Sequence, residues 1–165
     1  VRCATIAQLA PVPGQMLWDV GAGSGTVAVE WMRTDPACRA VAVERNPVRA
    51  ALARENAARL GVPGLEIVTG EAPRALQGLA APDAVFIGGG VSAQGVIEAG
   101  WQALRPGGRL VANAVTLEGE RALLDRHAAT GGTLTRIAVS RAAGVGNFTG
   151  WEPLRPVTQL AVRKP

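Results

Sequence analysis

The stretch that most limits how this chain can fold is Asp19-Val20-Gly21-Ala22-Gly23-Ser24-Gly25. It follows a short apolar run, Met16–Val20, and leads into a helix-period run, Thr26–Met32. Glycine at every second position gives a backbone that turns tightly and that a ligand can approach with no Cβ in the way. A helix starting directly behind such a loop adds a field that favours an anionic group. In that context the stretch reads as the strand–turn–helix corner of a cofactor-binding α/β fold. A plain strand–helix junction built from small residues is the alternative.

The remainder of the chain fits such a fold. Short apolar runs alternate with helix-period stretches, the pattern of parallel strands covered by helices on both faces. Strands are expected near Met16–Val20, Ala40–Glu44, Leu65–Thr69, Ala84–Ile87 and Arg109–Ala114. Ala4–Leu9 is amphipathic and expected to be helical. Asn46 caps a helix with Pro47 at its first position, and that helix closes at Leu60 before Gly61. Ser92 is expected to cap a helix running to Leu104, and Leu117–Ala129 forms another, ended by Gly131-Gly132. Beyond Gly132 the rhythm changes: Thr133–Arg141 and Thr158–Arg163 both read as strands, giving an antiparallel hairpin at the end of the sheet. The segment between them, Ala142–Val157, carries three glycines, two prolines and Trp151, and reads as a long mobile loop. At 165 residues, 48% hydrophobic and 18% charged, the chain is expected to be a single folded domain over 1–165. From its opening Val1-Arg2, followed at once by the amphipathic run, the chain is expected to be the C-terminal part of a longer one or to lack its first residues.

The spacing of the glycines narrows the ligand. A dinucleotide pattern GxGxxG requires glycine at position 26, which is Thr26 here. An acid followed by three alternating glycines suits S-adenosylmethionine instead, whose amino-acid end offers a carboxylate to backbone N–H groups and an ammonium to an acidic neighbourhood. Asp19, Gly21, Ala22, Gly23, Ser24 and Gly25 form the first part of that site. Glu44 ends the second strand, where a carboxylate accepts hydrogen bonds from both hydroxyls of a ribose, with Arg45 beside it. Glu71 and Ala72, after the third strand, are placed for the adenine, Glu71 taking its exocyclic amine. Gly88 and Gly89, with Gly90, leave a bare floor over which a wide, flat substrate can approach the methyl donor. Each has a blander reading: Glu44 as a solvated partner of a helix cap, Glu71 as an exposed turn acid before Pro73, the glycines as close packing of sheet and helix.

Other chemistries find little support. Cys3 and Cys38 lie far apart without metal-ligand spacing, so no metal site is expected. The apolar stretch Ala80–Ile97 is broken by Pro82, Asp83 and glycines that include the run Gly88–Gly90, so no membrane segment is expected and the chain reads as cytoplasmic. His127, the one histidine, falls in a helix away from the strand ends and offers no catalytic base. The formal charge of +4 and pI near 10.4 come almost wholly from arginine, since Lys164 is the single lysine. Such a surface suits an anionic partner, nucleic acid or a small polycarboxylate, although a biased composition produces it as well.

Six segments together resemble a known family, the decarboxylating precorrin methyltransferases of cobalamin biosynthesis (the CbiT type, also the C-terminal half of a fused enzyme). They are Leu17–Gly25 with Val29-Glu30, Ala42–Pro47, Gly70–Pro73, Phe86–Gly90, Leu104–Leu110 and Ala114–Glu118. The first marks only the methyltransferase superfamily. The Glu-Ala-Pro, triple-glycine and Ala-Val-Thr-Leu-Glu segments are particular to this family. The resemblance implies a class I S-adenosylmethionine-dependent methyltransferase fold, Rossmann-like, with a mostly parallel seven-stranded sheet and an antiparallel C-terminal hairpin, assembled as a homotetramer. It implies methyl transfer to carbon 15 of a precorrin, a tetrapyrrole, with loss of carbon dioxide from the acetate on carbon 12. Carbon 5 is methylated by a different module, fused or separate. Family members also carry a Thr-Lys pair just upstream of the residues matching Val1-Arg2.

For catalysis the residues to watch are Asn113 and Thr116 at the end of the fifth strand and Glu118 as a proton carrier. Arg141, Trp151 and Arg155 flank or lie in the long loop, which is expected to close over the substrate as a lid. An RNA methyltransferase on the same cofactor fold is the alternative. Against it stand the absence of an appended nucleic-acid module, the small aromatic set (Trp 4, Phe 2, Tyr 0) and the lack of a strand-end cysteine. A non-catalytic cofactor-binding scaffold is a third reading.

Overall fold

The computed structural model describes all residues, Val1–Pro165. Helix α1 (Arg2–Leu9) is followed by β1 (Met16–Val20), α2 (Thr26–Thr34), β2 (Arg39–Glu44), α3 (Pro47–Arg59) and β3 (Glu66–Thr69). A short 3-10 turn (Arg74–Leu76) leads to β4 (Ala84–Ile87), α4 (Val96–Ala103), β5 (Arg109–Ala114) and α5 (Leu117–Thr130). Four strands complete the chain: β6 (Thr133–Ile137), β7 (Ser140–Val145), β8 (Phe148–Pro153) and β9 (Val157–Arg163). No helix is long and apolar enough to cross a membrane.

The central sheet has seven strands in the order β3-β2-β1-β4-β5-β9-β6. The first five run parallel, and β9 pairs antiparallel with both β5 and β6. Strand order reverses between β1 and β4, which opens a crevice at their C-terminal ends, the usual ligand position in sheets of this kind.

Alternation of side chains explains why the inner strands are apolar throughout. Val85 and Ile87 pack with Trp18, Val20, Leu110 and Leu123 on one face, while Ala84 and Phe86 pack with Leu17, Val29, Trp31 and Val111 on the other. Both buried indoles are satisfied: Trp18 Nε1 donates to the Ala80 carbonyl and Trp31 Nε1 to the Arg39 carbonyl, each at 3.0 Å. Helix α1 is fixed to the sheet through a buried polar cluster. Asn113 Nδ2 and Gln159 Nε2 both donate to Thr5 Oγ1, at 3.1 and 3.0 Å, and Gln159 Nε2 also reaches Asn113 Oδ1 at 2.8 Å. Lys164 Nζ closes the C-terminus of α4 by donating to the carbonyls of Trp101, Gln102 and Leu104.

Three expectations need correction. Ser92 does not cap α4; the helix starts at Val96 behind Gly95, whose φ of 79° is left-handed, and residues 91–95 form turns. The run Thr133–Arg141 is two strands, because β6 leaves the sheet after Ile137 and Ser140-Arg141 open β7. Most importantly, Ala142–Val157 is not a long mobile loop. Ala142–Pro153 belongs to a separate two-stranded ribbon in which Ser140 opposes Pro153, Ala142 opposes Trp151 and Val145 opposes Phe148, and Val157 already opens β9. Gly146-Asn147 is its two-residue turn, and Gly146 has the positive φ of 59° that tight hairpins require.

Candidate cofactor site

The crevice holds a cavity of about 610 Å³ at the C-terminal ends of β1, β2, β3 and β4. Its geometry begins with the loop after β1. The N–H groups of Gly21 and Ala22 both donate to the Val43 carbonyl, at 2.9 and 3.1 Å, which pins the loop against β2. Gly21 has φ 70° and lies so close to the β4–α4 segment that a Cβ there would stand 2.6 Å from the Gly89 carbonyl oxygen. The corner is therefore closed to any side chain, whereas a Cβ on Gly23 would meet nothing within 4 Å.

Two carboxylates hold this loop from opposite sides. Glu44, only 4% exposed, lines the cavity. Its Oε2 accepts from the Gly23 N–H at 2.8 Å and its Oε1 from the Asn46 N–H at 2.9 Å, so one side chain joins the corners after β1 and β2. Each oxygen keeps a further lone pair for a ligand hydroxyl. Asp19 sits fully buried behind the loop and does not line the cavity. Its Oδ2 accepts from the Ala28 N–H at 2.9 Å, satisfying the first turn of α2, while Oδ1 has no partner. Burial raises the Asp19 pKa to about 7; the Ala28 hydrogen bond opposes that rise and the nearby Glu44 charge adds to it.

At the mouth, Arg45 Nη1 and Glu71 Oε1 pair at 3.3 Å, both largely exposed. Gly88, Gly89 and Gly90 supply a side-chain-free wall, and the N–H groups of Gly89 and Gly90 make no hydrogen bond within the chain. The donors and acceptors fit a ligand with a pair of hydroxyls for Glu44 and an anionic end for the glycine corner, held in a cradle that a Cβ would fill.

Of the residues expected from the sequence, Gly21, Gly23, Glu44, Arg45, Glu71, Ala72, Gly88 and Gly89 line this cavity together. Ala22, Ser24 and Gly25 shape the loop without lining it: the Gly25 N–H donates to the Ala22 carbonyl, and Asn56 Nδ2 holds the Ser24 carbonyl at 3.0 Å. The residues singled out for catalysis and substrate lie outside it. Asn113 is engaged with Thr5 and Gln159, Thr116 Oγ1 caps α5 through the Gly119 N–H at 3.2 Å, and Glu118 is exposed. Arg141 and Trp151 stand on the ribbon and Arg155 just beyond it. Arg49, Ser92, Ala93 and Val96 line the cavity without having been foreseen. Arg49 is three residues past the Asn46 cap and reads in sequence as a solvated helix face; its position after the second-strand acid is the one available signal.

A switch-point crevice of this kind, closed by a glycine corner and a second-strand acid, defines the Rossmann-like class I methyltransferase fold. Within that class the chain belongs to the precorrin methyltransferase domain family, whose model matches residues 1–164. The resemblance carried by the six segments is thus a family membership. The chain is 55% identical to the precorrin-6Y C(5,15)-methyltransferase [decarboxylating] of Sinorhizobium sp, over 99% of its own length and 40% of that protein's. It is 33% identical to the cobalt-precorrin-6B C(15)-methyltransferase (decarboxylating) of Salmonella typhimurium, over 99% of this chain and 86% of that one. The solved C-terminal domain of the precorrin-6Y C5,15-methyltransferase from Rhodobacter capsulatus superposes with a TM-score of 0.91 at 42% identity, covering 99% of this chain and 88% of that one. The chain therefore spans about two-fifths of the Sinorhizobium relative and most of the Salmonella one.

Proposed function

We propose that this chain uses S-adenosylmethionine to methylate carbon 15 of a precorrin and to release carbon dioxide from the acetate on carbon 12, in cytoplasmic cobalamin biosynthesis. The observation that carries the reading is Glu44: a buried carboxylate at the cavity wall, bonded to the glycine corner and still able to accept from two ribose hydroxyls. When bound, S-adenosylmethionine supplies an electrophilic methyl group on a sulfonium. The chain's own residues hold and orient. The Gly21–Gly25 corner and the start of α2 receive the carboxylate end. Arg45, Glu71 and Ala72 flank the base, and Gly88–Gly90 keep the reacting side clear of side chains.

The reaction asks little acid–base chemistry of the protein, because the conjugated nitrogens of a reduced tetrapyrrole push electrons to the meso carbon. Holding that carbon in line with the methyl group can supply roughly 7–11 kcal/mol through orientation. The electron pair left by carbon dioxide passes into the macrocycle. The homotetramer is part of the same proposal. The β7–β8 ribbon supports it, since Val145, Phe148 and Trp151 are 64%, 81% and 77% exposed and have the character of a subunit contact.

Incubation with S-adenosylmethionine and a precorrin labelled in the carbon 12 acetate checks the reaction: methylated product and labelled carbon dioxide are expected together. Glu44→Ala removes a charged acceptor worth roughly 1.5–3 kcal/mol, so affinity for S-adenosylhomocysteine should fall about 10- to 100-fold by calorimetry. Glu44→Gln, which keeps one acceptor, should lose less. Unchanged affinity in a folded Glu44→Ala protein would remove the ribose assignment.

A further inference from the structure

Beside the cavity, the β5–α5 turn carries apolar side chains that the fold leaves in water. Val115 is 54% exposed and Leu117 80%. Thr116, between them, is turned to the helix cap through the Gly119 N–H. The turn is held tightly against the β4–α4 segment, since a Cβ on Gly119 would stand 2.8 Å from Val91 Cγ1 and 3.0 Å from Ala114 Cβ. Strands β4 and β5 are direct neighbours, and Gly88, Gly89 and Gly90 at the end of β4 already line the cavity. The glycine wall and the two apolar residues are thus adjoining parts of one surface at the C-terminal edge of the sheet. One turn along α5, Arg121 shares the face of Leu117 by its i,i+4 spacing. It is exposed and takes part in none of the chain's ion pairs.

We propose that this turn is the platform on which the tetrapyrrole is held: Val115 and Leu117 take its flat apolar face, and Arg121 takes one of its side-chain carboxylates. The inference rests on the precorrin reading and deepens it by naming where on this chain the ring lies. A single exposed leucine means little. Here two apolar residues adjoin a bare glycine wall, with a free guanidinium one turn away. A conjugated macrocycle with carboxylates on its rim is the chemical complement of that arrangement. Apolar contact strips water from the ring face, and the guanidinium fixes rotation about the ring's own axis. Together they select which meso carbon faces the methyl donor.

The test uses the whole chain as wild type, as the Val115→Ser/Leu117→Ser double variant and as Arg121→Gln, each loaded with S-adenosylhomocysteine. Uroporphyrin, an octacarboxylate tetrapyrrole, is titrated in while tryptophan fluorescence is followed, and precorrin turnover is measured in parallel with S-adenosylmethionine. The double variant should lose about tenfold or more in uroporphyrin affinity and at least as much in precorrin kcat/KM, with S-adenosylhomocysteine affinity kept. Leu117→Met, which keeps an apolar contact of similar size, should bind as the wild type does. Arg121→Gln should lose about threefold to tenfold for the free acid and nothing for its methyl ester. Equal binding by wild type and double variant would overturn the platform while leaving the methyl-transfer reading standing. A wild type that neither binds nor turns over a tetrapyrrole would overturn both. A loss accompanied by a changed sedimentation coefficient would make Val115 and Leu117 a subunit contact, and the platform would fall.

Discussion

The Gly21–Gly25 corner and the β7–β8 ribbon are both glycine-rich, yet glycine serves opposite purposes in them. In the corner, Gly21, Gly23 and Gly25 all have positive φ, and Gly21 is pressed against the Gly89 backbone. In the ribbon only the turn residue Gly146 has positive φ, and Gly144 has nothing within 4 Å of where a Cβ would stand. Around the corner both acidic side chains bond to backbone N–H groups, Glu44 to Gly23 and Asn46 and Asp19 through Oδ2 to Ala28. Along the ribbon the large side chains face water, with Phe148 and Trp151 among the most exposed apolar residues of the molecule. The corner is built for a ligand that comes close to the backbone. The ribbon is built to present side chains to something outside this chain.

The contrast is tested most directly by placing alanine in each region. Gly21→Ala combines a left-handed φ with a backbone clash that no rotamer relieves, so a loss of roughly 2–5 kcal/mol in stability is expected. Cofactor binding should go with it. Gly144→Ala has neither problem and should stay within about 0.5 kcal/mol of wild type. Urea denaturation of the two variants measures the difference. Similar losses in both would mean that the corner is looser than its geometry implies.

How far each region is legible in the sequence follows from how local its constraints are. The corner is written in seven consecutive residues, and Glu44 stands at the end of a run of strand character, so both were readable. The ribbon was readable in principle, because Gly146-Asn147 between two alternating runs is a two-residue hairpin signal. It was masked by surrounding glycine and proline that also fit a loop. Ser92 had the chemistry of a cap, but the chain turns through residues 91–95 and brings Ser92 and Ala93 to the cavity wall instead. Asn113 illustrates the harder case. Its partners Thr5 and Gln159 lie 108 and 46 residues away, and no local pattern announces such a cluster. In sequence a polar residue at a strand end reads as a candidate catalytic group; in the fold its amide also fastens α1 to the sheet.

Asp19 makes the stability of the corner depend on pH. Its pKa rises from 3.8 to about 7 on folding, so between those values the native state holds a proton that the unfolded chain has lost. Stability contributed at this site therefore falls as pH rises through that window, and the full cost is present above it. For a shift of this size in a fully buried group the cost is roughly 4 kcal/mol. Asp19→Asn keeps an acceptor for the Ala28 N–H and removes the charge. Its stability relative to wild type should increase steadily between about pH 4 and pH 7 and then level off. Denaturation midpoints across that range provide the check, and a difference independent of pH would show that Asp19 is ionised in the folded corner throughout.

The smallest effect on the monomer is expected in the ribbon. Phe148 and Trp151 are four-fifths and three-quarters exposed, so replacing both with serine removes little that the isolated chain has buried. Surface substitutions of this kind usually change stability by no more than about 0.5 kcal/mol each. Cofactor affinity should be untouched, because neither residue lines the cavity. If the ribbon is a subunit contact, the same two substitutions remove the large aromatic side chain from each of its two faces, and the assembly should dissociate in sedimentation velocity while each chain stays folded and still binds S-adenosylhomocysteine. The separation of the two regions fails if the double variant keeps its assembly but loses cofactor affinity. That would couple the ribbon to the corner and make the two regions parts of one site.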